Sequence, residues 1–134
     1  MSKFDVQALI DASLKARKFS YSPYSKFKVG AAVLCGSGKI YAGANIENAS
    51  YPVTICAERV AYGKAISEGE SKFVAICITS SNSKEYCLPC GMCRQFMSEF
   101  GLDTQVICAK SKTDYKCYTL KELLPGNFDK NSMK

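Results

Sequence analysis

The sequence predicts an α/β domain in which one sheet lies between helical layers. Three observations carry this reading. Apolar strand-like runs alternate with helix-like ones, no repeat or low-complexity linker separates them, and 134 residues are enough for a single buried core.

Val6, Leu9, Ile10 and Leu14 recur at helical spacing behind Asp5, a residue that can cap a first turn, so residues 6–16 form the first helix. SYSPYSKF is a turn-rich connection. FKVGAAVLC, residues 27–35, is a strand that the turn GSGK returns into IYAGAN, making a hairpin. A second helix runs from about Thr54 to Glu68 and stops at Gly69. FVAICITS, residues 73–80, is almost continuously apolar, as a strand buried on both faces requires. After the loop SNSKEYCLP, the third helix CGMCRQFMSEF is closed by Gly101, in the position a helix C-cap favours. TQVICAK and YKCYT are the fourth and fifth strands, and T-L-K-E at Thr119–Glu122 is a capping-box pattern opening a short last helix.

The net charge of +6 rests on scattered lysines (Lys3, Lys15, Lys26, Lys39, Lys64, Lys110, Lys121) rather than on basic clusters interleaved with aromatics, so no nucleic-acid partner is expected. The N-terminus has no long apolar core, and no run approaches the ~20 apolar residues of a membrane span. The expectation is a cytoplasmic protein with no membrane partner.

Eight cysteines and no histidine are the unusual figures. The missing histidines remove Ser-His-Asp triads, Cys-His nucleophile pairs and His-rich metal sites. In a cytoplasmic chain the thiols are free, catalytic or metal-bound. Cys35, Cys77 and Cys108 lie inside apolar strands and read as small buried hydrophobes, and Cys117 in the fifth strand takes the same reading.

Cys56, Cys87, Cys90 and Cys93 remain. A ferredoxin-like run would need a cysteine where Met97 stands, and a redox CxxC would leave Cys56 and Glu58 unexplained. Cys90 and Cys93 follow Pro89 at a helix start, and Cys56 also opens a helix, where unpaired N–H groups and the helix dipole favour thiolates. Two such helix ends facing one another would set three thiolates around one ion, with zinc the leading candidate for sulfur ligands without histidine. Three ligands leave a fourth position for water; Cys87 would close it.

Glu58, in the first turn, can reach water on a metal held by Cys56 without ligating the metal, and proton transfer of that kind is typically worth ~10²–10⁴-fold in rate. Arg59 shares a helix face with Cys56, and its guanidinium can offset the excess negative charge of three thiolates around one zinc ion. Alone, the pair would read as an ordinary solvated first turn. Beside Cys56 and P-C-x-x-C, the chemical reading prevails.

C-A-E followed by P-C-G-M-C resembles the zinc nucleoside deaminase signature, with cysteine in place of its first histidine. SPYSKFKVGAA, NIENASYP, CAER, PCGMCRQ and ELLPGNF, in that order between about residue 5 and Phe128, resemble successive blocks of the small homotetrameric cytidine deaminases. The resemblance implies one domain over residues 1–134, a three-layer sandwich with a five-stranded mixed sheet and helices on both faces. It implies a homotetramer that hydrolytically deaminates cytidine and 2′-deoxycytidine to uridine and 2′-deoxyuridine with release of ammonia, in pyrimidine salvage. By the same resemblance, Cys56, Cys90 and Cys93 hold one zinc per subunit and Glu58 carries the proton. Asn45 and Glu47 bind the ribose, Phe27 packs near the pyrimidine, and the backbone of Ala57 and Cys90 binds the base's polar edge. Ala49 and Tyr51 match residues that reach a neighbouring subunit's site, and Phe128 one that stacks on the base from another subunit.

Met92, Val60 and Asn127 depart from the pattern, since a small residue, threonine and a small residue are usual there. None removes a ligand. Two rivals remain: a polynucleotide deaminase, which would need a basic and aromatic route for a strand, and a structural zinc module closed by Cys87 in which Glu58 is dispensable.

Overall fold

The structure is a computed structural model describing residues 4–134; Met1, Ser2 and Lys3 lie outside the described residues. Its helices are α1 (Val6–Arg17), α2 (Ala57–Ser67), α3 (Gly91–Ser98) and α4 (Leu120–Leu123), and its strands β1 (Val29–Cys35), β2 (Ile40–Ala44), β3 (Phe73–Ser80), β4 (Gln105–Ala109) and β5 (Tyr115–Thr119). Short 3-10 turns cover Tyr51–Val53 and Lys130–Met133. Among the described residues, no helix is long and apolar enough to cross a membrane.

The strands form one sheet in the order β2-β1-β3-β4-β5. β3 and β4 are parallel, linked through α3, and the other neighbours are antiparallel, so the sheet is mixed. Side chains alternate between two buried layers, as a pleated strand dictates. Ala31, Val33, Ile76 and Ile78 pack with Ala61, Tyr62, Cys93 and Met97 from α2 and α3 on one face. Ala32, Ala75, Cys77 and Ile107 meet Leu9 and Ile10 of α1 on the other. This is the three-layer arrangement with helices on both faces.

Local chemistry sets the element ends. The Asp5 carboxylate accepts from the Ala8 amide at 3.0 Å, capping α1. Thr119 and Glu122 form the reciprocal capping box that starts α4. Gly69 and Gly101 follow α2 and α3 with φ of 92° and 126°, a region open to glycine and costly for other residues.

Several boundaries differ from the sequence reading, and those at the starts of β1, α2 and α3 bear on the site. β1 begins at Val29 rather than Phe27, because the Phe27 carbonyl is taken by the Asn45 side chain instead of a neighbouring strand. α2 begins at Ala57 rather than near Thr54, because Ile55 is paired with Ile46 in an isolated antiparallel bridge. α3 is likewise one residue shorter at its start, with Cys90 as its cap. Cys117 also departs from the buried reading given to it: it is exposed. β5 is an edge strand, and α1 packs chiefly on β1, β2 and β3.

Candidate metal centre and active site

The late start of α2 shapes the site. Cys56 becomes the N-cap of α2, with extended φ/ψ of −71° and 153°, and Cys90 becomes the N-cap of α3 at −67° and 167°. Neither side chain caps its own helix; the two sulfurs face one another at 3.8 Å. Cys93, buried in the first turn of α3, completes a cluster in which all three Sγ atoms lie within 4.8 Å of one another. Two helix N-termini therefore point at one group of thiols, and both dipoles favour negative charge there.

The electrostatics follow. The neighbouring Cys93 and Cys90 thiols and the Arg59 guanidinium bring the Cys56 pKa down to about 5, while Cys93, beside the Cys56 thiolate and buried, is pushed up. A thiophilic metal would bind these sulfurs as thiolates, displacing their protons. Arg59 Nη2 donates to Cys56 Sγ at 3.6 Å and to the Thr54 carbonyl at 3.4 Å, and its Nε is buried with no hydrogen-bond partner. Three soft sulfur donors suit a thiophilic ion such as zinc, and the Arg59 cation beside them offsets the negative charge of the thiolates.

Cys87 stands outside the cluster. It lines the same cavity, and burial pushes its pKa up to about 11.

That cavity, of about 180 Å³, is walled by Phe27, Val29, Asn45, Thr54, Cys56, Ala57, Glu58, Cys87, Leu88 and Cys90. Glu58 is 4 % exposed, and burial, reinforced by the Cys56 thiolate, raises its pKa to about 7. A carboxyl that titrates near neutrality can both take and give a proton. Five of the residues singled out by sequence (Phe27, Asn45, Ala57, Glu58 and Cys90) thus share one cavity with Cys56.

Glu47 faces an adjoining cavity of about 240 Å³ with Tyr24, Ser25 and Tyr51; Thr54 lines both. Glu47 Oε1 accepts from the amides of Tyr24 and Ser25 at 3.0 and 3.1 Å, and the Ser25 hydroxyl donates to Oε2. These bonds, the Ser25 hydroxyl first, hold its pKa below the ordinary value. Ala49, Tyr51 and Phe128 are exposed, and neither Ala49 nor Phe128 lines these cavities. Tyr24, Ser25, Thr54 and Leu88 were not singled out by sequence reading. The first two sit in the block SPYSKF and Thr54 two residues before Cys56, and only the fold reveals that they line or brace the site.

The three departures are accommodated. Met92 projects outward, 65 % exposed. Val60 packs on Gly43 of β2, where a Cβ would stand 2.6 Å from Val60 Cγ1. Asn127 Nδ2 donates to Asp129 at 3.2 Å.

A zinc-compatible thiol triad at two helix ends, with a buried carboxyl in the adjoining cavity, defines a metal-dependent hydrolytic site, and residues 4–110 match the cytidine and deoxycytidylate deaminase zinc-binding region. The chain belongs to that family. It is 47% identical to the cytidine deaminase of Halalkalibacterium halodurans over 96% of this chain and 98% of that one. It is 44% identical to a probable cytidine deaminase of Dictyostelium discoideum over 99% of this chain and 90% of the relative. Among solved structures, the cytidine deaminase of Burkholderia pseudomallei superposes with a TM-score of 0.88 at 39% identity, covering 93% of this chain and all of that one. That of Mycobacterium tuberculosis does so with a TM-score of 0.83 at 31% identity, covering 94% and 98%.

Proposed function

We propose that this chain is a zinc-dependent cytidine deaminase that hydrolyses cytidine and 2′-deoxycytidine to the corresponding uridines and ammonia. The observation that carries the reading is Glu58, buried in one cavity with the sulfurs of Cys56 and Cys90 and titrating near 7. Family membership and the cytidine deaminases among the chain's relatives support the choice of reaction.

Cys56, Cys90 and Cys93 would hold the zinc, which would supply Lewis-acid activation of water. Everything else is done by side chains and backbone. Water's oxygen bonds to carbon 4 of the pyrimidine and the bond to the exocyclic nitrogen breaks, so two protons must move. Glu58 takes a proton from the water and delivers it to ring nitrogen 3, then carries the second to the departing amine, leaving as ammonia. Arg59 offsets the negative charge of the sulfurs, keeping the site electrophilic.

Phe27 supplies an apolar wall for the base, and the Ala57 and Cys90 backbone flanks its polar edge. Asn45 and Glu47 reach the sugar. Glu47 stays ionised and can accept from a hydroxyl, while Asn45 keeps one amide proton beyond its bond to Phe27. Ala49, Tyr51 and Phe128 act across a subunit boundary in a homotetramer, a reading supported by their exposure on a single chain. One domain over residues 1–134, a cytoplasmic location and a place in pyrimidine salvage belong to the same proposal.

The experiment follows cytidine loss and ammonia release by zinc-loaded protein, beside Glu58→Gln and Cys87→Ser. Turnover lost by ~10²–10⁴-fold in Glu58→Gln and kept in Cys87→Ser is the expected result. An inactive wild type that loses its zinc on Cys87→Ser would replace this reading with a closed structural site.

A further inference from the structure

Helix α3 carries two of the three sulfurs at its start, and its next two residues reach in other directions. Arg94 Nε donates to the Pro89 carbonyl at 2.7 Å, immediately before Cys90. The same guanidinium donates through Nη1 to the Leu123 carbonyl at 2.8 Å, one of the last carbonyls of α4, which have no partner within their helix. Gln95 Nε2 then donates to the Phe128 carbonyl at 2.9 Å. The segment 123–128 contains Pro125 and a Gly126 with φ of 65°. It is therefore fastened to α3 at both ends, and its terminal Phe128 is held outward, 58 % exposed.

We propose that Arg94 is a positioning residue that ties the Cys90 metal loop to the C-terminal turn bearing Phe128, so that metal retention and placement of this aromatic depend on one side chain. The planar guanidinium suits the task, since its donors are fixed in a fork and reach two carbonyls on different segments at once. Both carbonyls lie outside the hydrogen bonding of their own helices. Pro89 is buried, so losing its partner would leave an unsatisfied acceptor directly behind a metal ligand. The link carries catalytic meaning through the stacking role given to Phe128 above, but its physical content rests on the metal centre alone.

The test uses the full-length, zinc-loaded protein carrying Phe128→Trp, because the chain has no tryptophan of its own. Two quantities are read: the rate at which a chelator removes zinc, and the change in tryptophan emission as it does so. With Arg94 in place, emission should change in step with metal loss. In Arg94→Ala, zinc should leave about 10-fold faster, the size expected of groups that hold metal ligands from behind, and the emission step should vanish because the turn is already released. Arg94→Lys keeps charge and stem but offers a point donor in place of the fork. It should stay folded, with intermediate zinc release and a reduced step. Gln95→Ala should lose the step at the wild-type rate of zinc release.

Unchanged zinc release in both Arg94 variants overturns the proposal. So does a full emission step in Arg94→Ala, or a reporter that ignores metal loss when Arg94 is intact. Neither readout uses turnover, so a failed deaminase reading and a failed link are distinguishable.

Discussion

Asn45 holds Phe27 from within the fold: its Nδ2 donates to the Phe27 carbonyl at 2.9 Å, while its Oδ1 accepts from the Val29 amide at 3.0 Å and from the Ser20 hydroxyl. This side chain is the junction between β2 and the entry to β1, and it sets where the strand begins. A residue assigned to the sugar by sequence thus also shapes the cavity wall to which Phe27 contributes. Asn45→Ala should therefore do two things. It should weaken nucleoside binding, and it should lower unfolding stability by about 1–3 kcal/mol, since the buried Val29 amide loses its partner. Denaturant unfolding of the zinc-loaded variant checks the second; unchanged stability would mean the amide serves the ligand alone.

Cys87 and Cys93 offer a sharper contrast. Both border the site, yet only Cys93 belongs to the sulfur cluster. Removing a ligand should cost most of the metal, whereas removing Cys87 should cost none. Zinc content after dialysis is expected to stay at one per chain in Cys87→Ser and to fall well below that in Cys93→Ser. Equal losses in the two variants would assign Cys87 to the metal.

The metal-free protein should show a pH dependence traceable to Glu58. Burial raises this carboxyl from 4.5 to about 7, so between those values the folded state binds a proton that the unfolded state has released. Stability from this group is full below the lower value and falls as pH rises, reaching its limit above about 7. A tenfold difference in proton affinity between the folded and unfolded chain corresponds to about 1.4 kcal/mol, so the full loss is roughly 3 kcal/mol. Cys56, with its pKa lowered to about 5, acts in the opposite sense over part of the range but is present in both proteins when wild type is compared with Glu58→Gln. Metal-free Glu58→Gln should therefore be the more stable of the two at pH 8, by an amount that shrinks toward pH 4. A constant difference across thermal melts at several pH values would contradict this.

How much of this was legible beforehand divides along physical lines. The strands and helices were, because their apolar periodicity reflects the two layers they bury: Ala31 and Val33 toward α2, Ala32 toward α1. The sulfur cluster was nearly so, because Pro89 and the spacing from Cys90 to Cys93 mark a helix start. The exact cap positions were not. Ile55 reads as the beginning of a helix and instead pairs with Ile46, a contact that depends on the path of residues 45–55 rather than on local preference. Cys117 was misread because edge position is a property of the whole sheet. The bracing of Glu47 by Tyr24 and Ser25 joins segments 22 to 23 residues apart and leaves no periodic trace.

The packing of α1 against the sheet supplies a final prediction, from two glycines with opposite surroundings. At Gly30 in β1, an added Cβ would stand 2.1 Å from the Ser13 carbonyl oxygen and 2.8 Å from the Arg17 amide nitrogen. Both are backbone atoms of α1 that cannot swing aside. The helix is also pinned there, because the Ser13 hydroxyl donates to the Gly30 carbonyl at 2.9 Å and lies 3.0 Å from the Thr79 hydroxyl. Gly30→Ala must push α1 off the sheet and stretch those bonds, and should cost at least the ~1–3 kcal/mol typical of overpacking. At Gly63, inside α2, an added Cβ meets nothing within 4 Å. Gly63→Ala should stabilise the protein by about 0.5–1 kcal/mol, because alanine loses less backbone freedom than glycine on entering a helix. Chemical denaturation of the two variants side by side should move the midpoint in opposite directions. A Gly30→Ala protein as stable as wild type would show that α1 rides on the sheet with room to spare.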